Sequence, residues 1–148
     1  MSDAKMIQYK AETVILREGE ICPEMYKIVQ GHAEVYVGYG TAQESLIGIL
    51  GKGSCFGEFG LLLQKPAIYT VIAYSDVCVL RITEGDMGDF VAENHKNIID
   101  IMRNMANTMM TMRLQIDLFI KEIEAGQKPS ENTLLNARKA MRAYGMYR

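Results

Sequence analysis

The residues best suited to binding a ligand lie in a glycine-rich stretch in the middle of the chain. Glycines at positions 48, 51, 53, 57 and 60 surround the segment 56–63. Glycine has no Cβ, so the backbone N–H groups beside it can approach a ligand closely and can form a concave site for an anion. The stretch therefore predicts a small-molecule binding site.

The other reactive residue types lack the spacing that a metal site or a catalytic centre requires. Cys22, Cys55 and Cys78 are widely spaced and form no CxxC pair, so we interpret them as buried reduced thiols. His32 and His95 have no acidic or cysteine partners at metal-ligand spacing. No Ser/His/Asp or Cys/His arrangement indicates nucleophilic catalysis. We therefore predict that the protein is not an enzyme and holds no metal, and a cupin-like isomerase would lack its metal ligands here.

Composition places the chain among ordinary globular proteins. Its 148 residues are 49% hydrophobic and 23% charged, which is enough for one domain with a core. No run of about 18 apolar residues is present, and the first ten residues lack the apolar centre of a secretory signal. A net charge of -2 gives no broad attraction for nucleic acid. We predict a cytoplasmic protein that contacts neither membranes nor nucleic acid.

The first half of the chain has the pattern of short β-strands separated by glycine corners. Strand-like segments recur at intervals of about 8 to 12 residues, which is typical of a sandwich or a barrel. Alternation is clear in residues 33–37. The odd-numbered residues there are apolar, and the even-numbered residues, Glu34 and Tyr36, are expected to point outward. The pattern predicts six strands, at residues 13–16, 25–30, 33–37, 45–49, 69–73 and 77–82.

After the last strand the pattern changes to a helical period. A short helix is predicted to begin at Thr83 or Asp86 and to end near Glu93, and a much longer helix spans about residues 95–124. Glycine and proline then end the long helix, and a last short helix follows. This order predicts one domain over residues 1–124 and a short helical tail over residues 125–148.

The long helix carries an apolar stripe whose steps alternate between four and three residues. Such steps average 3.5 residues, as in a coiled coil. At ~1.5 Å per residue the helix would be about 45 Å long, which is too long for a small domain to cover alone. Identical chains bring identical stripes together, so we predict a parallel homodimer. The predicted dimer residues are Ile98, Met102, Met105, Met109, Met112, Ile116, Phe119 and Ile123.

The same helix has an alternative interpretation, which is ordinary packing against the β half. We expect residues on another face to fill that role, namely Ile99, Ala106, Met110 and Ile120. Both interpretations can hold on different faces of one helix.

Three motifs in order along the chain resemble the cyclic nucleotide-binding domain family, which includes bacterial catabolite activator proteins and kinase regulatory subunits. They are ILREGE at 15–20, MYKIVQG at 25–31 and GSCFGEFGLL at 53–62, and the resemblance covers about residues 10–124. It implies a mainly β fold with α elements: a double-stranded β-helix, or jelly-roll-like β-roll, followed by a short helix and a long C-terminal dimerisation helix.

In that family a phosphate-binding cassette reads F-G-E-L-A-L-L, several residues, then P-R-[TSA]-A-[TS]-V. We call residues 56–69 the cassette. The resemblance implies that Glu58 contacts a ribose 2′-hydroxyl and that backbone donors near Gly57 face the ligand, which is a cyclic nucleotide or another small anion. Alternatively, Glu58 accepts backbone N–H bonds and holds the loop. The candidate ligand-binding residues are Phe56, Gly57, Glu58, Phe59, Gly60, Lys65, Ala67, Ile68 and Tyr69.

The cassette departs from the family pattern after Pro66. Ala67 stands where the pattern has arginine, and the lost bidentate contact to phosphate is worth about 1.5–3 kcal/mol. Ile68 and Tyr69 replace small residues, which predicts a narrower and more apolar pocket. Lys65 would substitute only by folding back across the turn, and it lacks the fork geometry. We predict that cyclic AMP and cyclic GMP do not bind in the usual mode.

These features leave three hypotheses about function open. The leading one is a regulatory, ligand-sensing module that dimerises and signals through a protein partner. The second is a dimeric scaffold or interaction protein that binds no small molecule. The third is a remnant or partner-dependent transcription regulator, since the tail is too short to hold a helix-turn-helix module of its own.

Overall fold

The structure is a computed structural model that describes residues 5–126, 128 and 130–143. Within these residues it contains eight strands and four helices. The strands are β1 (Lys5–Tyr9), β2 (Val14–Leu16), β3 (Met25–Gln30), β4 (Ala33–Val37), β5 (Ser45–Leu50), β6 (Cys55–Phe56), β7 (Thr70–Ala73) and β8 (Val77–Ile82). The helices are α1 (Glu58–Leu63), α2 (Glu84–Glu93), α3 (Lys96–Glu124) and α4 (Glu131–Ala143).

The strands form two antiparallel sheets that enclose an apolar core. One sheet has the order β1-β8-β3-β6 and the other has the order β2-β7-β4-β5. In β4 the side chains of Ala33, Val35 and Val37 are buried, whereas Glu34 and Tyr36 are partly exposed, as the alternation predicts. The predicted fold class, a jelly-roll-like β-roll followed by helices, is confirmed.

The strand predictions match six of the eight strands, with small differences in their bounds. The bounds of β3, β4 and β8 are those predicted, and those of β2, β5 and β7 differ by one residue. The predictions omit β1, which pairs along its whole length with β8, and the two-residue strand β6, which pairs with β3. Segment 58–63 was predicted only as part of a glycine-rich loop and is the helix α1.

A polar cluster fixes the junction between the roll and its helices. The Asp86 carboxylate accepts hydrogen bonds from the Thr83 backbone N–H (3.0 Å) and from its hydroxyl (2.8 Å), which starts α2 at the predicted place. At the other end of α2, the Asn97 side-chain amide donates to the carbonyl of Phe90 (3.0 Å). Lys27 Nζ on β3 donates to Asn97 Oδ1 (2.9 Å), so the start of α3 is tied to the roll.

The chain divides into two compact units between Ile98 and Ile99. The predicted division into a domain over 1–124 and a tail over 125–148 stays a prediction. Among the residues that the structure describes, no helix is both long and apolar enough to span a membrane.

The apolar stripe of α3 lies at the surface of the single chain. Three of its predicted dimer residues are at least half exposed: Met102 (61%), Met109 (60%) and Ile123 (51%). The other five, Ile98, Met105, Met112, Ile116 and Phe119, are partly buried. The residues expected to pack against the roll are exposed, and their packing stays a prediction: Ile99, Ala106, Met110 and Ile120. The homodimer itself stays a prediction.

Candidate functional site

The cassette begins where β6 turns into α1. Phe56 is buried in the core and its ring stacks on Tyr26, with 5.2 Å between the ring centroids. Gly57 follows with φ 87°, a left-handed backbone conformation that residues with a Cβ rarely adopt. A Cβ at Gly57 would also lie 2.8 Å from the carbonyl oxygen of Glu24. The turn that leads into α1 therefore requires glycine.

The helix α1 packs against the loop that precedes β3. A Cβ at Gly60 would collide with the backbone carbonyl of Cys22, so the helix reaches this loop only because residue 60 has no side chain. Phe59, Leu62 and Leu63 on the same helix are exposed. Close packing at Gly60 explains why this glycine, which weakens helices elsewhere, lies inside one.

Hydrogen bonds fix the second half of the cassette to the turn after β2. The backbone N–H of Ala67 donates to the carbonyl of Glu20 (2.9 Å), and the N–H of Gly19 donates to the carbonyl of Ala67 (2.8 Å). The hydroxyl of Thr70 accepts a bond from the Glu18 N–H (3.1 Å). Ala67, which is 8% exposed, is buried where the family pattern has arginine.

Tyr69 connects the two halves of the cassette. Its hydroxyl accepts a hydrogen bond from the Gly57 N–H (3.2 Å) and donates one to Glu58 Oε2 (3.2 Å). Sequence reasoning placed these three residues in one site but did not predict that they bond to one another. The backbone donor and the carboxylate that the family resemblance assigns to a ligand therefore share a partner inside the chain.

The environment of this contact disfavours charge. Burial raises the pKa of the Glu58 carboxyl, and the hydrogen bonds from its own backbone and from Tyr69 only partly oppose that rise. Burial also raises the pKa of the Tyr69 hydroxyl, and the neighbouring Glu58 raises it further. The tyrosine therefore stays a neutral donor over the whole physiological range.

A small cavity remains beside Tyr69. The space that the centre of a water molecule can occupy in it is about 10 Å³, which is about enough for one water. A purine nucleotide is many times larger. The cavity is lined by Leu16, Cys22, Gly57, Phe59, Gly60, Ala67, Ile68 and Tyr69.

The structure brings most of the predicted ligand residues to this cavity, with three differences. Phe56 lies in the core, Lys65 is exposed and Glu58 bonds to the Tyr69 hydroxyl, and none of these three lines the cavity. Sequence reasoning missed Leu16 and Cys22. Leu16 belongs to the motif at 15–20, which could have indicated it, whereas Cys22 approaches through loop packing that has no sequence signal. Cys22, Cys55 and Cys78 are each only partly buried, whereas we predicted buried thiols. None of the three is in a disulfide, in agreement with the prediction that they are reduced.

Metal ligands are not brought together in the described ranges of the chain. No group of three or more histidine, cysteine, aspartate or glutamate side chains there is placed to hold an ion. The carboxylate of the site, Glu58, bonds instead to the Tyr69 hydroxyl.

An antiparallel β-roll that carries a glycine-bounded cassette and continues into helices defines a domain of the cyclic nucleotide-binding type. Residues 6–94, more than half of the chain, match the family model described as Cyclic nucleotide-binding domain. The chain therefore belongs to this family, and the resemblance seen in its sequence motifs is confirmed.

Individual relatives and solved structures resemble this chain at low sequence identity. The cAMP-dependent protein kinase regulatory subunit of Dictyostelium discoideum is 32% identical over 71 residues, which are 48% of this chain and 22% of that protein. The Thermus thermophilus catabolite activator protein is 18% identical with a TM-score of 0.69, covering 98% of this chain and 81% of that one.

The regulatory subunit of a cAMP-independent protein kinase A from Trypanosoma brucei also resembles this chain. It is 19% identical with a TM-score of 0.57, covering 70% of this chain and 36% of that one. The chain spans 9% to 22% of the length of the curated relatives that it matches.

Proposed function

We propose that this protein is a non-enzymatic regulatory module whose cassette does not bind cyclic AMP or cyclic GMP in the usual mode, and which acts as a homodimer on a protein partner. The observation that carries the proposal is the Tyr69 hydroxyl, which bonds to both Gly57 and Glu58. The groups that would hold a nucleotide already have an internal partner.

The position of Ala67 supports the same conclusion. In the family pattern an arginine here grips the cyclic phosphate, and a methyl group supplies no charge. Lys65 is exposed and does not line the cavity, so it is not placed to act as a substitute. A phosphate in this site would lie near Glu58 without the arginine that compensates its charge in the family pattern.

A regulatory role without cyclic AMP is supported by the description of one structural neighbour. The Trypanosoma brucei protein is the regulatory subunit of a kinase described as cAMP-independent. A module of this kind would pass on a signal through its protein contacts, and the exposed stripe on α3 supports a second copy as one of them.

Calorimetry on the full chain tests the nucleotide part of the proposal. We expect no measurable binding of cyclic AMP, cyclic GMP or cyclic dinucleotides. The double variant Ala67→Arg/Tyr69→Ala restores the arginine of the family pattern and opens the site, so we expect it to bind cyclic AMP at least about tenfold more tightly than either single variant. Micromolar binding of cyclic AMP by the unmodified chain would contradict the proposal.

The second candidate function is a dimeric scaffold that binds no small molecule. The small size of the cavity beside Tyr69 favours it. A ligand screen by thermal shift separates the two candidates, because only a sensing module has a small molecule that raises its melting temperature.

A further inference from the structure

Tyr69 makes the contacts that a hydroxyl group of a ligand would make in the cassette. A phenol has one O–H donor and lone pairs that accept. The Tyr69 hydroxyl uses its donor on Glu58 Oε2 and accepts from the Gly57 N–H, each at 3.2 Å. One group thus satisfies both a backbone donor and a carboxylate.

The ring of Tyr69 projects from a fixed part of the roll. On one side, β7 begins at Thr70 and all four of its residues are buried. On the other side, Ala67 exchanges two backbone hydrogen bonds with the turn formed by Gly19 and Glu20. Because the backbone is held on both sides, placing the hydroxyl costs little further conformational freedom.

The electrostatics of the site favour a neutral partner. Burial raises the pKa of Glu58, and no ion pair in the described part of the chain involves this carboxylate. An anion beside it would add repulsion to the cost of burial. A neutral hydroxyl avoids that repulsion and still bonds to the carboxylate.

We infer that the Tyr69 side chain is a built-in ligand of the cassette, and that the site it occupies selects a neutral phenol over an anionic cyclic phosphate. The inference rests on the proposed function and deepens it by naming the ligand chemistry of the same site. It differs from simple filling of space, because a space-filling ring would not need its hydroxyl.

Chemical complementation tests this inference. Tyr69→Ala removes the ring, and 4-methylphenol is the missing side chain as a free molecule. At about ten times its Kd, 4-methylphenol should raise the melting temperature of Tyr69→Ala by about 4 °C and leave the unmodified protein unchanged. Toluene has the same shape without the hydroxyl, so we expect it to give less than half of that rise. The amide resonance of Gly57 should move in the variant and return with 4-methylphenol.

Equal stabilisation by 4-methylphenol and toluene would overturn the inference, and so would equal stabilisation of the unmodified protein. If Tyr69→Ala does not fold, Tyr69→Phe removes only the hydroxyl. The Gly57 amide should then exchange its hydrogen about tenfold faster, and an unchanged rate would overturn the inference. These measurements contain no nucleotide, so their failure is distinct from binding of cyclic AMP by the unmodified chain, which would refute the proposed function.

Discussion

The backbone carbonyl of Cys22 occupies the place where a Cβ of Gly60 would stand. This contact joins the helix α1 to the loop before β3 through backbone alone. Because neither backbone can move away without displacing a strand or a helix, residue 60 determines how closely the cassette lies on the roll.

Gly60→Ala should therefore destabilise the protein. The added methyl group must displace backbone, and we expect the free energy of unfolding in urea to fall by about 2–3 kcal/mol. Gly88→Ala is the matched control, because Gly88 lies within α2 with no atom near its missing Cβ. Alanine there should raise the free energy of unfolding by about 0.5–1 kcal/mol. Equal effects of the two substitutions would contradict the close contact at Gly60.

Glu58→Gln should change how stability depends on pH. The pKa of Glu58 is raised by burial above its usual value of 4.5, so the folded protein holds this proton more tightly than the unfolded chain. The stability that Glu58 adds by binding this proton is fully present below pH 4.5. It is lost as the pH rises through the pKa of Glu58 in the folded protein. Glutamine stays neutral and still accepts the Tyr69 bond. The stability of Glu58→Gln relative to the unmodified protein should therefore increase from acidic to neutral pH.

Urea unfolding at a series of pH values measures this difference. Glu20→Gln is the control, since the Glu20 side chain is exposed. A pH-independent difference for Glu58→Gln would show that the carboxyl is not desolvated.

Glu18→Ala should loosen the turn that follows β2. The Glu18 carboxylate accepts a hydrogen bond of 2.7 Å from the N–H of Gly38, which joins turns that are 20 residues apart. We expect its loss to lower the free energy of unfolding by about 1–2 kcal/mol. Glu44→Ala removes a comparable bond to Gly40, but that bond is local and exposed, so the loss there should stay below about 0.5 kcal/mol. Chemical denaturation of both variants gives the comparison.

The α3 stripe gives a prediction about assembly. Met102 and Ile123 are 61% and 51% exposed in the single chain, and both belong to the apolar stripe that is predicted to form the dimer contact. Replacing both by glutamate should shift the protein from dimer to monomer in sedimentation velocity, because two pairs of like charges would be buried in a dimer. Asn104→Glu/Asn107→Glu adds the same charges on an exposed face of α3 and should leave the mass unchanged. A monomeric unmodified chain would refute the dimer.

The sequence predicted those elements whose pattern is local. The alternation in 33–37 defined β4, and the Thr83–Asp86 spacing defined the start of α2. It did not predict β1, whose residues become a strand by pairing with β8, or β6, which is only two residues long.

The residues of the site were predicted from the sequence, but their contacts with one another were not. Gly57, Glu58 and Tyr69 were identified as ligand residues from the family pattern, but the bond between Glu58 and Tyr69 spans 11 residues and depends on how β7 is anchored. The helix α1 was missed because glycine disfavours helices unless, as at Gly60, close packing requires it.

The Tyr69 hydroxyl belongs to the same molecule as the groups it bonds to, so its local concentration never changes. Dilution, metabolism and transport, which alter the occupancy of an ordinary receptor, have no effect on this contact. The contact between Tyr69 and the cassette therefore forms whenever the protein folds. A cell can then vary only the amount of this protein or the amount of a partner that binds to its surface.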